Sequence, residues 1–251
     1  MSTRWAIVLE YDGTDYHGYQ IQNKEKTVQK EFEEAIFNVL GKSIHTQGAS
    51  RTDVGTHSIG QVVAFETNGD LSGEVLKRAI NHNLSKTIRI VKIKEVSLKF
   101  DPRRDAISRI YKYTFYKRDV HSPIYDRFSY WIPEKINLNT MKEAVKMLKG
   151  KHEFKYFTPN PSKYSNTVRN VFDVKLDSSK NFITFEIEAD SFLYHQIRKI
   201  AGVLLDIGKN KISINALKGS LLNNNQIEKC SLLPAKGLCL MKINYPENIF
   251  V

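Results

Sequence analysis

A short loop around residue 53 carries the residue types that could do chemistry. Arg51, Thr52 and Asp53 lie among glycines at positions 48, 55 and 60, and His57 follows shortly after. If this piece is extended, the side chains of Arg51 and Asp53 point the same way and are neighbours. A cation beside a carboxylate keeps it ionised, so Asp53 could act as a nucleophile or a general base. An exposed surface ion pair would give the same pattern, and this simpler interpretation stays open.

A second set of candidates alternates along a predicted strand, where Arg109, Tyr111 and Tyr113 share one face. Two tyrosines on a strand face usually indicate packing. Aromatic rings interleaved with basic residues are also typical of nucleic-acid surfaces, because the rings stack on exposed bases while the cations meet phosphates. Arg198 lies off the apolar stripe of a later predicted helix, where it could pair with a carboxylate or contact a phosphate.

The composition favours a folded protein with a polyanionic partner. The chain has 251 residues, of which 41% are hydrophobic and 11% aromatic, so a substantial core is expected. Lysine and arginine number 38 against 27 acidic residues, which gives a formal charge of +11. Cys230 and Cys239 have no paired metal-ligand spacing and indicate a reducing compartment. The histidines form no ligand-spaced set either.

The predicted elements fall into two α+β halves, residues 1–104 and 105–251, separated where Pro102 ends regular structure. Thr27 and Thr140 are the expected N-caps of two of the helices, and Gly41 and Gly150 are their expected C-terminal stops. The predicted strands are residues 5–11, 61–67, 88–96, 107–117, 168–176, 182–188 and 237–244, and the predicted helices are residues 27–40, 74–83, 140–149, 192–207 and 214–222.

Five stretches resemble motifs of one known family. Arg51-Thr52-Asp53-x-Gly55-x-His57-x-x-Gly60-Gln61-Val62 resembles the catalytic signature of the tRNA pseudouridine synthase A family. Four others are similar to family motifs in the same order: residues 11–20, 109–113, 192–199 and 234–238. Ser50 stands where bacterial members usually have Gly, and residues 195–198 are more similar to the archaeal and eukaryotic branches.

The resemblance implies two ferredoxin-like halves that form a continuous, mostly antiparallel sheet flanked by helices, with an active cleft between the halves. It implies isomerisation of uridine to pseudouridine in the anticodon stem-loop of tRNA, with Asp53 as the catalytic residue and no cofactor or metal. Tyr111 would stack on the target uracil, and Arg198 matches the basic residue that pairs with the catalytic carboxylate. A homodimer is also implied. The substrate-binding candidates are Tyr111, Arg51, Arg198, His57, Gln61 and Arg109.

A uridine inside a stem cannot reach Asp53, so the target has to be flipped out of the helix. Arg51 or His57 could fill the gap or hold the flipped nucleotide. His57 could equally be a loop histidine that is satisfied by hydrogen bonds. The aromatic segment 16–20 could likewise be a packed loop or a contact to nucleotides.

Two other functions fit parts of the sequence. A non-catalytic, basic RNA-binding protein would account for the charge and the aromatic residues alone. A carboxylate-dependent nucleosidase would pair Asp53 with another acid such as Asp190, and it would release uracil. No signal peptide is visible, and no apolar run approaches the roughly 18 residues of a membrane span. We therefore expect a cytoplasmic location and no membrane contact.

Overall fold

The computed structural model describes residues 2–69, 71–222, 225–227, 231–246 and 249–250. Cys230, considered above, lies outside these residues. Short 3-10 turns occur at Lys155–Phe157, Pro161–Lys163 and Ala235–Gly237. The strands and α-helices of the described residues are, in chain order, β1 (Ser2–Tyr11), α1 (Val28–Leu40), β2 (Gln47–Gly48), β3 (His57–Asn68), α2 (Gly73–Asn83), β4 (Ile88–Val96), β5 (Ser108–Lys117), β6 (Tyr130–Ile132), α3 (Leu138–Lys146), β7 (Gly150–Glu153), β8 (Val168–Ser178), β9 (Phe182–Ala189), α4 (Gln196–Gly208), α5 (Ile214–Leu222) and β10 (Leu238–Asn244).

The α+β class is confirmed, and the strand pairing is mostly antiparallel. β1 pairs with β3 and β4, β8 pairs with β7 and β9, and β5 pairs with β9, all in antiparallel register. The pairs β3–β10 and β5–β6 are parallel. Within the described residues, no helix is long and apolar enough to cross a membrane.

The chain forms two compact units, Met1–Ile107 with Cys239–Val251, and Ser108–Leu238. The last strand returns to the first unit, where Cys239 lies opposite His57 in the β3–β10 pair. A pairing over this sequence distance leaves no trace in local residue patterns. The division into residues 1–104 and 105–251 stays a prediction on domain organisation, and the compact units differ from it in the place of β10.

In the first unit, the strand order is β4–β1–β3–β10, with β2 also paired to β3. α1 and α2 bury their apolar residues in one core with β1, β3 and β4. The predicted ends of α1 are confirmed. Thr27 Oγ1 accepts from the Lys30 N–H at 3.3 Å, and Gly41 adopts a φ of 67° while its N–H donates to the Phe37 carbonyl.

In the second unit, the strand order is β5–β9–β8–β7, with β6 on β5. The predicted ends of α3 are wrong. Its N-cap is Asn137, whose Oδ1 accepts from the backbone N–H groups of Asn139 and Thr140. Asn is among the strongest N-caps, so it starts the helix ahead of Thr140. The helix ends at Lys146, four residues before Gly150.

The predicted start of α4 is also wrong, because the helix begins at Gln196 rather than Phe192. His195 has a φ of 65°, which lies in the left-handed region and cannot continue a right-handed helix. A tight turn precedes the helix: Gln196 donates its N–H to the Leu193 carbonyl, and its side-chain Oε1 accepts from Leu193 N at 2.7 Å. From Ile200 onward α4 is buried on all sides.

Candidate active site

Residues 51–57, called the signature loop below, begin where the chain leaves the sheet of the first unit. The N–H of Ala49 donates to the Val62 carbonyl at 2.8 Å. Gln61 is fully buried and holds the Ser50 peptide with both ends of its amide. Its Oε1 accepts from Ser50 N at 3.1 Å, and its Nε2 donates to Ser50 O at 2.5 Å. Gln61 therefore positions the residue that precedes Arg51.

The N-terminal motif, residues 11–20, lies against the signature loop. The Tyr11 hydroxyl and the Thr52 hydroxyl share a buried hydrogen bond of 2.8 Å. The Tyr19 N–H donates to the Thr52 carbonyl, and the Gly55 N–H donates to the Tyr16 carbonyl, both at 3.2 Å. Two motifs that are separate in the sequence are thus one structure. Neither Tyr11 nor Thr52 has a sequence pattern that predicts this role, although both lie inside matched motifs.

The aromatic rings of the N-terminal motif serve packing. Tyr16 and Tyr19 are buried, and the Tyr16 hydroxyl bonds to Glu31 and Thr87 at 2.9 and 2.7 Å. Burial raises the pKa of the Tyr19 phenol, so this group stays neutral. Of the two interpretations of this segment, the structure favours the packed loop for both tyrosine rings.

Asp53 lies at the start of a turn in the signature loop. The Thr56 N–H donates to the Asp53 carbonyl at 3.0 Å and closes the turn. Thr52 and Thr56 are buried, whereas Asp53 is half-buried. The neighbouring residues therefore fix the backbone of Asp53 while the residue itself stays partly accessible. A carboxylate held in this way can accept a proton or attack an electrophilic carbon.

Arg51 does not form the expected pair with Asp53. Its side chain is exposed and makes no ion pair or hydrogen bond with the part of the chain that the structure describes. An exposed guanidinium remains suited to binding phosphate.

His57 is the first residue of β3 and is 5% exposed. Its Nδ1 lies 3.1 Å from the Gly13 backbone nitrogen and 3.2 Å from an Asp12 carboxylate oxygen. The imidazole thus fastens the Asp12-Gly13 turn to the end of the signature loop. This geometry favours the interpretation of His57 as a histidine satisfied by hydrogen bonds.

In the second unit, Tyr111 and Tyr113 extend from one face of β5. Tyr111 is 6% exposed, and its ring meets the edge of Phe192 with centroids 5.4 Å apart. The Tyr113 hydroxyl donates to the Pro234 carbonyl at 2.8 Å, and burial raises the pKa of this phenol. Arg109, on the same strand, donates from Nη1 to the Asp190 carbonyl at 2.8 Å.

Arg198 lies in the first turn of α4 and is half-buried. Its Nε donates to the Leu233 carbonyl at 2.7 Å, next to the Pro234 carbonyl that Tyr113 binds. The second unit therefore joins three of the motif stretches, those at residues 109–113, 192–199 and 234–238. The sequence analysis missed the anchoring role of Leu233, since any residue can supply a backbone carbonyl.

Asp190, the possible partner of Asp53 in a nucleosidase, has a local structural role. Its two carboxylate oxygens accept from the backbone N–H groups of Ser191, at 2.6 Å, and Asn170, at 3.3 Å. These bonds fix the end of β9 to β8. The described residues contain no group of three or more His, Cys, Asp or Glu placed to hold a metal ion.

Known proteins resemble this chain over nearly its full length. The family model described as tRNA pseudouridine synthase matches residues 7–104 and 144–246. A tRNA pseudouridine synthase A of Methylacidiphilum infernorum is 35% identical over 245 residues, which cover 97% of this chain and 96% of the relative. A protein of the same name from Syntrophomonas wolfei is 33% identical, over 98% of this chain and 99% of its own length. Another from Thermoanaerobacter sp. is 37% identical, over 95% of this chain and 98% of its own length.

A solved H/ACA RNP bound to a substrate RNA containing 2′-deoxyuridine is 10% identical, with a TM-score of 0.42 over 94% of this chain and 59% of that chain; it is too distant to carry an argument. The similarity of residues 195–198 to the archaeal and eukaryotic branches stays a prediction. The first range matched by the family model contains the N-terminal motif and the signature loop, and the second contains residues 192–199 and 234–238. The chain belongs to the tRNA pseudouridine synthase family.

Proposed function

We propose that this protein isomerises uridine to pseudouridine in the anticodon stem-loop of tRNA, with Asp53 as the catalytic residue. One observation carries the proposal: Asp53 of the family signature stands on a loop whose neighbouring residues are buried and hydrogen-bonded. Rigid positioning of a reactive group at its target supplies a large part of enzymatic rate enhancement. The chain covers nearly the full length of its relatives, which are named tRNA pseudouridine synthase A.

The reaction requires three events at one nucleoside. The bond from C1′ to N1 breaks, the freed uracil turns, and C5 forms a bond to C1′. The C5 hydrogen leaves as a proton and N1 takes up a proton, so the product is an isomer of the substrate. The Asp53 carboxylate can serve either by attack at C1′ or by removing a proton from the sugar. Neither route calls for a redox group, a metal or an energy source.

Four of the remaining candidates are proposed to bind RNA. Tyr111 is assigned to stacking on the uracil, while Arg51, Arg109 and Arg198 are assigned to the nucleotide and its phosphates. Gln61 and His57 are buried. Gln61 is hydrogen-bonded to Ser50, just before the signature loop, and His57 is hydrogen-bonded to the Asp12-Gly13 turn. We therefore propose that both residues position the signature loop. The charge of +11 fits a tRNA partner. A homodimer and a cytoplasmic location are part of the same proposal.

The direct test uses unmodified tRNA transcripts that carry tritium at uracil C5, without added metal or nucleotide. We expect the protein to release tritium to water while the base stays attached to the RNA. We also expect the pseudouridine that is formed to map to the anticodon stem-loop. Free uracil would instead indicate a nucleosidase. Tight tRNA binding with no release would indicate a non-catalytic RNA-binding protein.

Tyr111→Phe is expected to lose rate more than affinity. The variant keeps the ring and its edge contact with Phe192 but removes the hydroxyl that could exchange a proton with the base. We expect kcat to fall by about 10²-fold, which is the lower range for a proton-transfer group, with the Kd for tRNA nearly unchanged. Single-turnover kinetics and a binding titration check this. Unchanged turnover with weakened binding would show that the ring is only structural.

A further inference from the structure

An exposed aromatic and basic surface lies beside the N-terminal end of α4 in the second unit. We call it the Tyr194 patch. The Tyr194 patch consists of Lys155, Tyr156, Lys163, Tyr164, Tyr194 and Lys199. Tyr194 is 50% exposed, the lysines at 155 and 163 are exposed, and the other three members are half-buried.

Hydrogen bonds join the members into one surface. The Tyr194 N–H donates to the Tyr164 hydroxyl at 2.9 Å, which brings the loop after β7 against the start of α4. Lys199 Nζ donates to the Tyr156 carbonyl at 3.3 Å, and Lys155 Nζ lies 5.7 Å from the Tyr156 ring centroid. Tyr194 with Tyr164, and Lys199 with Tyr156, are therefore held together before any ligand arrives, and Lys163 precedes Tyr164 in the chain.

Tyr194 is itself part of a stack. Its ring lies against the imidazole of His195, with centroids 3.7 Å apart and planes inclined by 26°. One face of the tyrosine is thus supported while the residue remains half exposed. A planar ring that is backed on one side and half exposed is a platform on which a nucleobase can continue the stack.

The start of α4 departs from the usual rules of helix design. His195 adopts a left-handed conformation, which residues with a Cβ adopt infrequently, and its side chain makes no capping hydrogen bond. The first turn carries Arg198 and Lys199 and no acidic residue, although positive charge is unfavourable at this end of a helix. Departures of this kind concentrate at functional sites. A bound phosphate would offset the unfavourable charge.

We propose that the Tyr194 patch binds an unpaired nucleotide of the tRNA, distinct from the target uridine. The base stacks on the open face of Tyr194, and the neighbouring phosphates lie against Lys155, Lys163 and Lys199. Residues 150–166 carry three lysines, at positions 151, 155 and 163, and one carboxylate, that of Glu153, which accepts from the Lys155 backbone N–H at 3.0 Å. This excess of positive charge favours an RNA strand as the partner, because each RNA phosphate carries a negative charge. The inference rests on tRNA as the substrate.

The test is the Kd of an unmodified tRNA transcript for Tyr194→Ala at fixed salt, together with steady-state kinetics. Loss of one base–aromatic stack is expected to weaken binding by about 5- to 100-fold. KM should rise by the same factor with kcat nearly unchanged, because the contact is made equally in the ground and transition states. Tyr194→Phe keeps the ring and should bind like the wild type. Thermal melting of both variants checks that the fold is retained.

Phe172→Ala is the matched control, since Phe172 is a 42% exposed aromatic residue on β8 of the same unit. We expect it to leave tRNA binding unchanged. Wild-type affinity in Tyr194→Ala, or an equal loss in Phe172→Ala, would overturn the inference. If the protein binds tRNA through Tyr194 but never isomerises uridine, the proposed function fails and the patch stands. If it isomerises uridine and Tyr194→Ala binds normally, only the patch fails.

Discussion

Asp53→Asn is expected to abolish turnover while tRNA binding largely survives. Asparagine has nearly the shape of aspartate, so the turn closed by the Thr56 N–H should remain. It carries no negative charge, so it can neither attack C1′ nor accept a proton from the sugar. Where one group does the chemistry, its loss typically costs at least about 10⁴-fold in kcat. Binding should not suffer, because a carboxylate near phosphates contributes repulsion.

Single-turnover tritium release and a tRNA binding titration measure the two quantities separately. Asp53→Ala belongs in the same experiment, because deamidation of asparagine would regenerate trace aspartate in Asp53→Asn but not in the alanine variant. Asp177→Asn is the matched control, since it removes the same charge from an exposed position on β8. We expect this control to turn over like the wild type.

The result separates the three candidate functions. Substantial isomerisation by Asp53→Ala would remove Asp53 from the catalytic role while leaving the family assignment intact. A nucleosidase would also lose activity, but its wild type would release uracil. A non-catalytic RNA-binding protein would show no turnover in any variant and no loss of affinity at Asp53.

Several helices and strands were predictable because the residues that determine them lie close together in the sequence. The α1 helix has an amphipathic stripe, a threonine cap and a glycine stop within fifteen residues, and all three are found. β4 and α5 have the predicted bounds for the same reason. The errors occur where another residue sets the start of a helix, just before the predicted range of α3 and inside the predicted range of α4. Asn137 captures the start of α3, and the left-handed His195 delays α4.

The candidate site was predictable in its residue types and not in its contacts. The signature identified Asp53, and the glycines around it indicated a loop, but the hydrogen bonds that hold the loop reach far along the chain. Tyr11 bonds to Thr52, and Gly13 bonds to His57, across 41 and 44 residues. Such contacts depend on the register of β1 against β3, which sequence spacing does not encode.

Gly13→Ala is expected to impair both catalysis and stability, because the new methyl group would enter the backbone of the signature loop. A Cβ at Gly13 would overlap the Thr56 carbonyl oxygen and lie 2.6 Å from its carbon, far inside van der Waals contact. These are backbone atoms, so the turn that carries Asp53 has to move. A displacement of about 1 Å at a reacting group can cost about 10²-fold in rate, and overpacking costs about 1–3 kcal/mol of stability.

Gly73→Ala is the matched control for this prediction. It adds the same methyl group in the same unit, but its Cβ would meet only side-chain atoms of Trp5 and Ile93, at 3.0 Å or more, and it would lie in the first turn of α2. Alanine also favours a helix over glycine, which offsets the cost of a shift of a few tenths of an ångström in the Trp5 ring, so this variant should keep its activity and most of its stability. We would measure kcat, the Kd for tRNA and the free energy of unfolding for both. Wild-type kcat in Gly13→Ala would show that the N-terminal motif does not position Asp53, whereas a lower kcat with intact tRNA binding would show that it does.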